Sequence, residues 1–129
     1  MTARGLADTS VFIAHESGRP IDVRAMPDRL AVSAVTIGEL RAGVLAATDA
    51  VTRDRRLDTL TAALSLEPIP VDVEVANAWA RLRVALRDAG LRMPVNDSWI
   101  AATAIALGVP IVTQDDDFPP LAELDIINV

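Results

Sequence analysis

A chain of 129 residues, half of them apolar, carries 18 acids against 12 bases, for a net charge of −6. That length suits one domain over residues 1–129, large enough to bury a real core. It contains no Lys, Cys or Tyr, and His15 is the only histidine. A P-loop, a receiver domain and a haloacid-dehalogenase-like phosphatase all need a Lys and are excluded or badly weakened, as are a Cys nucleophile and a Cys-built zinc site. Any catalysis must rest mainly on carboxylates, hydroxyls and Arg, with or without a metal, and a Ser-His-Asp triad would have to use His15.

In chain order, Leu6-Ala7 reads as a first short strand ending at Asp8, and a helix from Ser10 is broken at Gly18-Arg19-Pro20. Leu30 to Ser33 is a second strand, followed by a helix from Ala34 to Ala47. Asp49 can N-cap a helix to Ser65, and Pro68 to Val71 is a third extended segment. Asp72 caps a long helix to Gly90 with the stripe Val75, Trp79, Leu82 and Leu86; Glu74 near its start and Arg83 and Arg87 near its end suit the macrodipole. Asn96-Asp97 opens a helix, Ser98 to Leu107, that Gly108 ends. A strand from Val109 to Val112, the acidic loop Asp115-Asp116-Asp117 and a last strand at Ile126-Ile127 complete the chain.

Short apolar strands alternating with helices predict an α/β fold with a mostly parallel sheet covered on both faces. In such sheets the functional crevice lies beyond the carboxyl ends of the strands, where both Asp8 and Asp115 fall. No apolar run approaches the roughly 20 residues of a membrane span, and the first residues lack a signal-peptide pattern. A soluble, cytoplasmic protein is expected.

The carboxylates carry the remaining information. Two of them about 4 Å apart repel by roughly 4 kcal/mol at an effective dielectric of about 20, so the run Asp115 to Asp117 needs either solvent or a cation. Alternation turns Asp116 away from its neighbours. Glu39 lies on a helix that is apolar nearly all round, which predicts a buried carboxylate that is ion-paired, as with Arg41, protonated or metal-bound. Asp97 suits a helix cap, and Asp8 a turn or cap.

Three stretches taken in order, Leu6 to Ser10, Ser33 to Gly43, and Asn96 to Ala104 running on to Thr113-Gln114-Asp115-Asp116-Asp117-Phe118, resemble the PIN domain and, more narrowly, VapC-type toxins of bacterial toxin–antitoxin pairs. The resemblance covers essentially the whole chain. It implies a PIN-like three-layer fold, with a central sheet of four to five strands flanked by helices. It also implies that Asp8, Glu39, Asp97 and Asp115 form an acidic catalytic and metal site, with Asp117 a peripheral fifth acid and Thr113 supporting by hydrogen bonding. Family members often carry a basic residue where Gln114 or Asp116 stands here.

Such a site suits Mg²⁺ or Mn²⁺, hard ions that prefer carboxylate oxygen and water. The implied activity is metal-dependent endoribonucleolytic cleavage of structured RNA, transfer or ribosomal, by a metal-activated water. A homodimer and a VapB-type antitoxin covering the acidic groove are implied as partners. Net charge argues at first against RNA, but acids neutralised by cations soften the argument, and every base is Arg, the better phosphate fork. Arg41, Arg53, Arg55 and Arg56 are candidates to hold RNA, against a solvated helix face. The alternative is a non-catalytic module whose acids bind an ion or a partner protein. A phosphatase using Asp8 as nucleophile lacks both the second Asp two residues on and the Lys.

Overall fold

The computed structural model describes residues 3–116 and 118–129. Five strands, β1 (Arg4–Ala7), β2 (Arg29–Ser33), β3 (Glu67–Ile69), β4 (Ile111–Thr113) and β5 (Ile126–Asn128), form one sheet in the order β3-β2-β1-β4-β5. Every pairing is parallel. Five α-helices connect them: α1 (Thr9–Ser17), α2 (Ala34–Ala46), α3 (Ala50–Ser65), α4 (Val73–Ala89) and α5 (Val95–Leu107), with a 3₁₀ turn at Val23–Ala25. This is the α/β fold with a parallel sheet expected from the alternation of elements, and its five strands match the upper end of the count that the family resemblance implies.

Leu6, Ala31 and Ile111 point from the three central strands into the larger core, which α4 fills with Val75, Ala78, Leu82 and Leu86 and α5 with Ile100, Ala101 and Ala104. A second cluster joins α2 and α3 through Leu40, Val44, Leu60 and Ala63, with Phe12 of α1 packed against it. Residue 5 of β1 must be small, because a Cβ there would stand 2.7 Å from both Pro27 Cγ and Val112 Cγ2.

Element boundaries move where backbone chemistry outweighs apolar pattern. β3 is Glu67–Ile69 rather than Pro68 to Val71, and it tolerates Pro68 because it is an edge strand. β4 begins at Ile111 because the amides of Gly108 and Val109 turn back onto the end of α5, with Gly108 at φ 68°. α5 begins at Val95, a few residues before the expected Ser98, with Pro94 at its N-cap.

Candidate metal and nuclease site

The sheet order reverses direction about β1, so the crevice between the carboxyl ends of β1 and β4 is the topological switch point of the sheet. Asp8 stands there. Its amide continues the ladder to Val112 O at 2.8 Å, and its side chain is only 2% exposed. It occupies the N-cap position of α1 but makes no capping bond through its side chain. Instead Oδ2 accepts from Ser10 Oγ at 2.7 Å and from Thr113 Oγ1 at 3.0 Å. Both donors are neutral, so its buried charge is met by hydrogen bonds but by no counter-charge from these two groups.

Ser10 and Thr113 form the centre of a wider hydroxyl network. Their oxygens lie 3.1 Å apart. Ser10 Oγ accepts from the Gln114 amide at 3.0 Å, and Thr113 Oγ1 accepts from the Asp115 amide at 2.9 Å. The start of α1 and the end of β4 are thereby tied across the switch point, and Asp115 is half-buried directly beside it. Asp116 is exposed, as alternation requires. Asp117 lies outside the described residues.

On the other flank Thr9 Oγ1 donates to Glu39 Oε1 at 2.8 Å and lies 2.9 Å from Thr36 Oγ1. Glu39 is half-buried rather than buried, and its hydrogen-bond partner is this hydroxyl rather than Arg41. The reason is that α2 buries only one face, through Thr36, Leu40 and Val44. Beyond Glu39 opens a cleft of about 300 Å³ lined by Thr9, Ile13, Glu16, Glu39 and Arg56.

Asp97 reaches the same rim by topology. The C-terminus of α5 feeds the start of β4 through a tight turn, so the opposite end of this 13-residue helix, where Asp97 lies half-buried in the first turn, is at the carboxyl side of the sheet. Asp97 is thus a first-turn carboxylate at a helix N-terminus rather than the cap itself.

Three contributors were invisible to sequence reasoning: Thr9, Ser10 and Thr36. Apart from the bond of Ser10 to Asp8, their partners are 27 to 104 residues away, and only the placement of Thr9 and Ser10 directly after Asp8 hinted at a role. Gln114, at one of the two positions where the resemblance implies a basic residue, has a structural use: its side-chain amide nitrogen donates to Pro20 O at 3.0 Å and Val129 O at 2.6 Å. Two of the arginines considered for RNA are likewise engaged. Arg53 and Arg56 donate to Ala47 O and Gly43 O, carbonyls at the end of α2.

Among the described residues no group of three or more acidic or histidine side chains is gathered into a metal-holding cluster. The fit to a cation therefore rests on donor chemistry: acids and hydroxyls supply oxygen donors alone, the ligands of a hard ion.

The PIN domain matches residues 6–124. The chain belongs to the PIN domain family. This PIN domain is 50% identical to ribonuclease VapC5 of Mycobacterium tuberculosis, over 98% of this chain and 96% of that one, and 48% identical to ribonuclease VapC4 of the same organism, over 98% and 97%. It superposes with a TM-score of 0.90 on the crystal structure of VapBC-5, a Mycobacterium tuberculosis member of the VapBC toxin–antitoxin family, at 46% identity and covering 98% of this chain and 99% of that one.

Proposed function

We propose that this PIN domain is the toxin of a VapBC-type pair, a metal-dependent endoribonuclease that cleaves structured RNA, transfer or ribosomal, in the cytoplasm. The observation that carries the reading is Asp8, a buried carboxylate at the switch point of the sheet held by two neutral hydroxyls, in a chain about half identical to named VapC ribonucleases along its whole length.

Asp8, Glu39, Asp97 and Asp115 are the residues that would hold Mg²⁺ or Mn²⁺, with Asp117 as an auxiliary acid. A bound divalent ion supplies a water acidic enough to attack at neutral pH, together with positive charge for the phosphodiester oxygens. The chain's own residues prepare that chemistry. Ser10 and Thr113 both engage Oδ2 of Asp8, fixing the carboxylate plane and leaving Oδ1 as the oxygen offered to a cation. Thr9 fixes Glu39 in the same way from the adjacent turn, and Thr113 also sets the backbone of Asp115. Asp97 stands in the first turn of α5, at the helix end whose dipole favours negative charge. Hydrolysis needs no protein nucleophile, which agrees with the missing Cys and the single His.

A VapB-type antitoxin and a second copy of the chain are the proposed partners. The solved relative is a VapBC complex, and Leu45 and Val51, about 75% exposed on either side of the α2–α3 turn, offer apolar surface for an interface. Expression in a bacterial host is expected to arrest growth, with rescue by the product of the neighbouring antitoxin gene and no arrest from Asp97→Asn. Growth arrest that persists in Asp97→Asn would exclude the acidic site as its cause.

A further inference from the structure

We propose that the cleft at the C-terminal end of α4, framed by Arg83, Arg87 and Arg92, is the site that grips the RNA phosphate backbone beside the acidic rim. The inference rests on the ribonuclease reading and deepens it by naming where the substrate is held.

The cleft has a volume of about 330 Å³ and is lined by the three arginines with Leu86, Leu91 and Met93. Arg83 and Arg87 are four residues apart and so share one face of α4. Arg92 is folded back beside them because Gly90 adopts φ 68° and the Leu91 amide bonds to Leu86 O at 2.9 Å. All three side chains are exposed. In a chain of net charge −6, residues 75–96 carry four arginines against a single acid, Asp88.

Ordinary structural roles account for little of this cluster. The macrodipole acts within the last turn of a helix, so of the two arginines the sequence pattern assigned to it only Arg87 qualifies; Arg83 lies six residues before the end of α4 and Arg92 beyond it. Arg87 pairs with Asp88 at 3.2 Å, but both side chains are largely exposed and such a pair contributes little. Three guanidiniums brought to one cleft repel one another until an anion arrives, and the planar fork of Arg matches phosphate.

The cluster is also fixed to the catalytic rim. Arg83 lies 5.3 Å from the centroid of Trp79, which stacks on Trp99 at 4.4 Å and 2°. Trp79 Nε1 donates to Ser98 Oγ at 3.0 Å. Ser98 and Trp99 directly follow Asp97 in the first turns of α5. A phosphate bound in this cleft would therefore hold a strand at a set distance from the acids, as Arg53 and Arg56, occupied by α2 carbonyls, do not.

The test measures binding of labelled bulk transfer RNA to full-length Asp8→Asn protein, which leaves the RNA uncut, as a function of salt. Replacing Arg83, Arg87 and Arg92 together by Gln is expected to flatten the slope of log affinity against log salt by about 2 to 3, the release from three phosphates. Arg81→Gln, an equal change of charge per residue on another face of α4, is expected to leave the slope as it was. If circular dichroism shows that the triple variant misfolds, Arg92→Gln alone must flatten the slope by about 0.7 to 0.9. An unchanged slope in a folded variant, or no binding by the Asp8→Asn parent, overturns the proposal. RNA bound with the full slope but never cut by the wild-type chain would overturn the ribonuclease reading and leave this site standing.

Discussion

At the scale of single residues, the hydroxyls around Asp8 make the sharpest case. Thr113→Val keeps the shape of the side chain and removes the donor to Asp8 Oδ2 and the acceptor for the Asp115 amide. Outer-shell partners of metal-binding carboxylates are worth about 10–100-fold in metal affinity or activity. Thr113→Val is therefore expected to raise the Mg²⁺ concentration for half-maximal RNA cleavage by about that factor, as read from single-turnover rates across a Mg²⁺ titration. An unchanged Mg²⁺ dependence would remove Thr113 from the site. The same scale shows what the sequence concealed: Asp8 looked like a helix cap because Thr9 and Ser10 begin a helix, yet its carboxylate turns from the helix amides toward Thr113, 105 residues away. No local pattern encodes that choice.

Among the elements, β1 is the most constrained. Gly5→Ala would drive a Cβ to 2.7 Å from Pro27 Cγ and Val112 Cγ2, a ring and a fully buried branched side chain that cannot swing away. The cost is expected at about 1–3 kcal/mol in urea denaturation, whereas a wild-type midpoint would show that β1 can shift without penalty. Helix α3 offers a pH-dependent counterpart. The backbone amide of Thr52, then its hydroxyl, hold the Asp49 carboxyl below the ordinary Asp value, with smaller help from Arg55 and Arg56. The stabilisation of the helix start is present in full above the unfolded Asp range and is lost as pH falls through the lowered folded value. The Thr52 amide resonance should titrate at that lowered value; a midpoint at the ordinary Asp value would dissolve the cap. Apolar runs and cap residues made these elements legible. Their boundaries were less so, because Pro68 is acceptable only on an edge strand and Pro94 starts α5 early.

For the molecule as a whole, alternation of strands and helices was enough to anticipate a parallel sheet and to place Asp8 and Asp115 at one rim. The partial exposure of Glu39 was not, since a helix as apolar as α2 can still leave one face uncovered. What unites the fold is a switch point where β1 and β4 part and deliver a buried carboxylate, Asp8, held by the hydroxyls of Ser10 and Thr113. The central claim is that the proposed acidic site cuts RNA with a divalent ion. The most direct measurement is cleavage of bulk transfer and ribosomal RNA by purified wild-type and Asp8→Asn proteins, with Mg²⁺ and with a chelator in its place. Endonucleolytic products are expected only from wild type with Mg²⁺, with both proteins equally folded; equal cleavage by Asp8→Asn, or by wild type in chelator, would contradict the account.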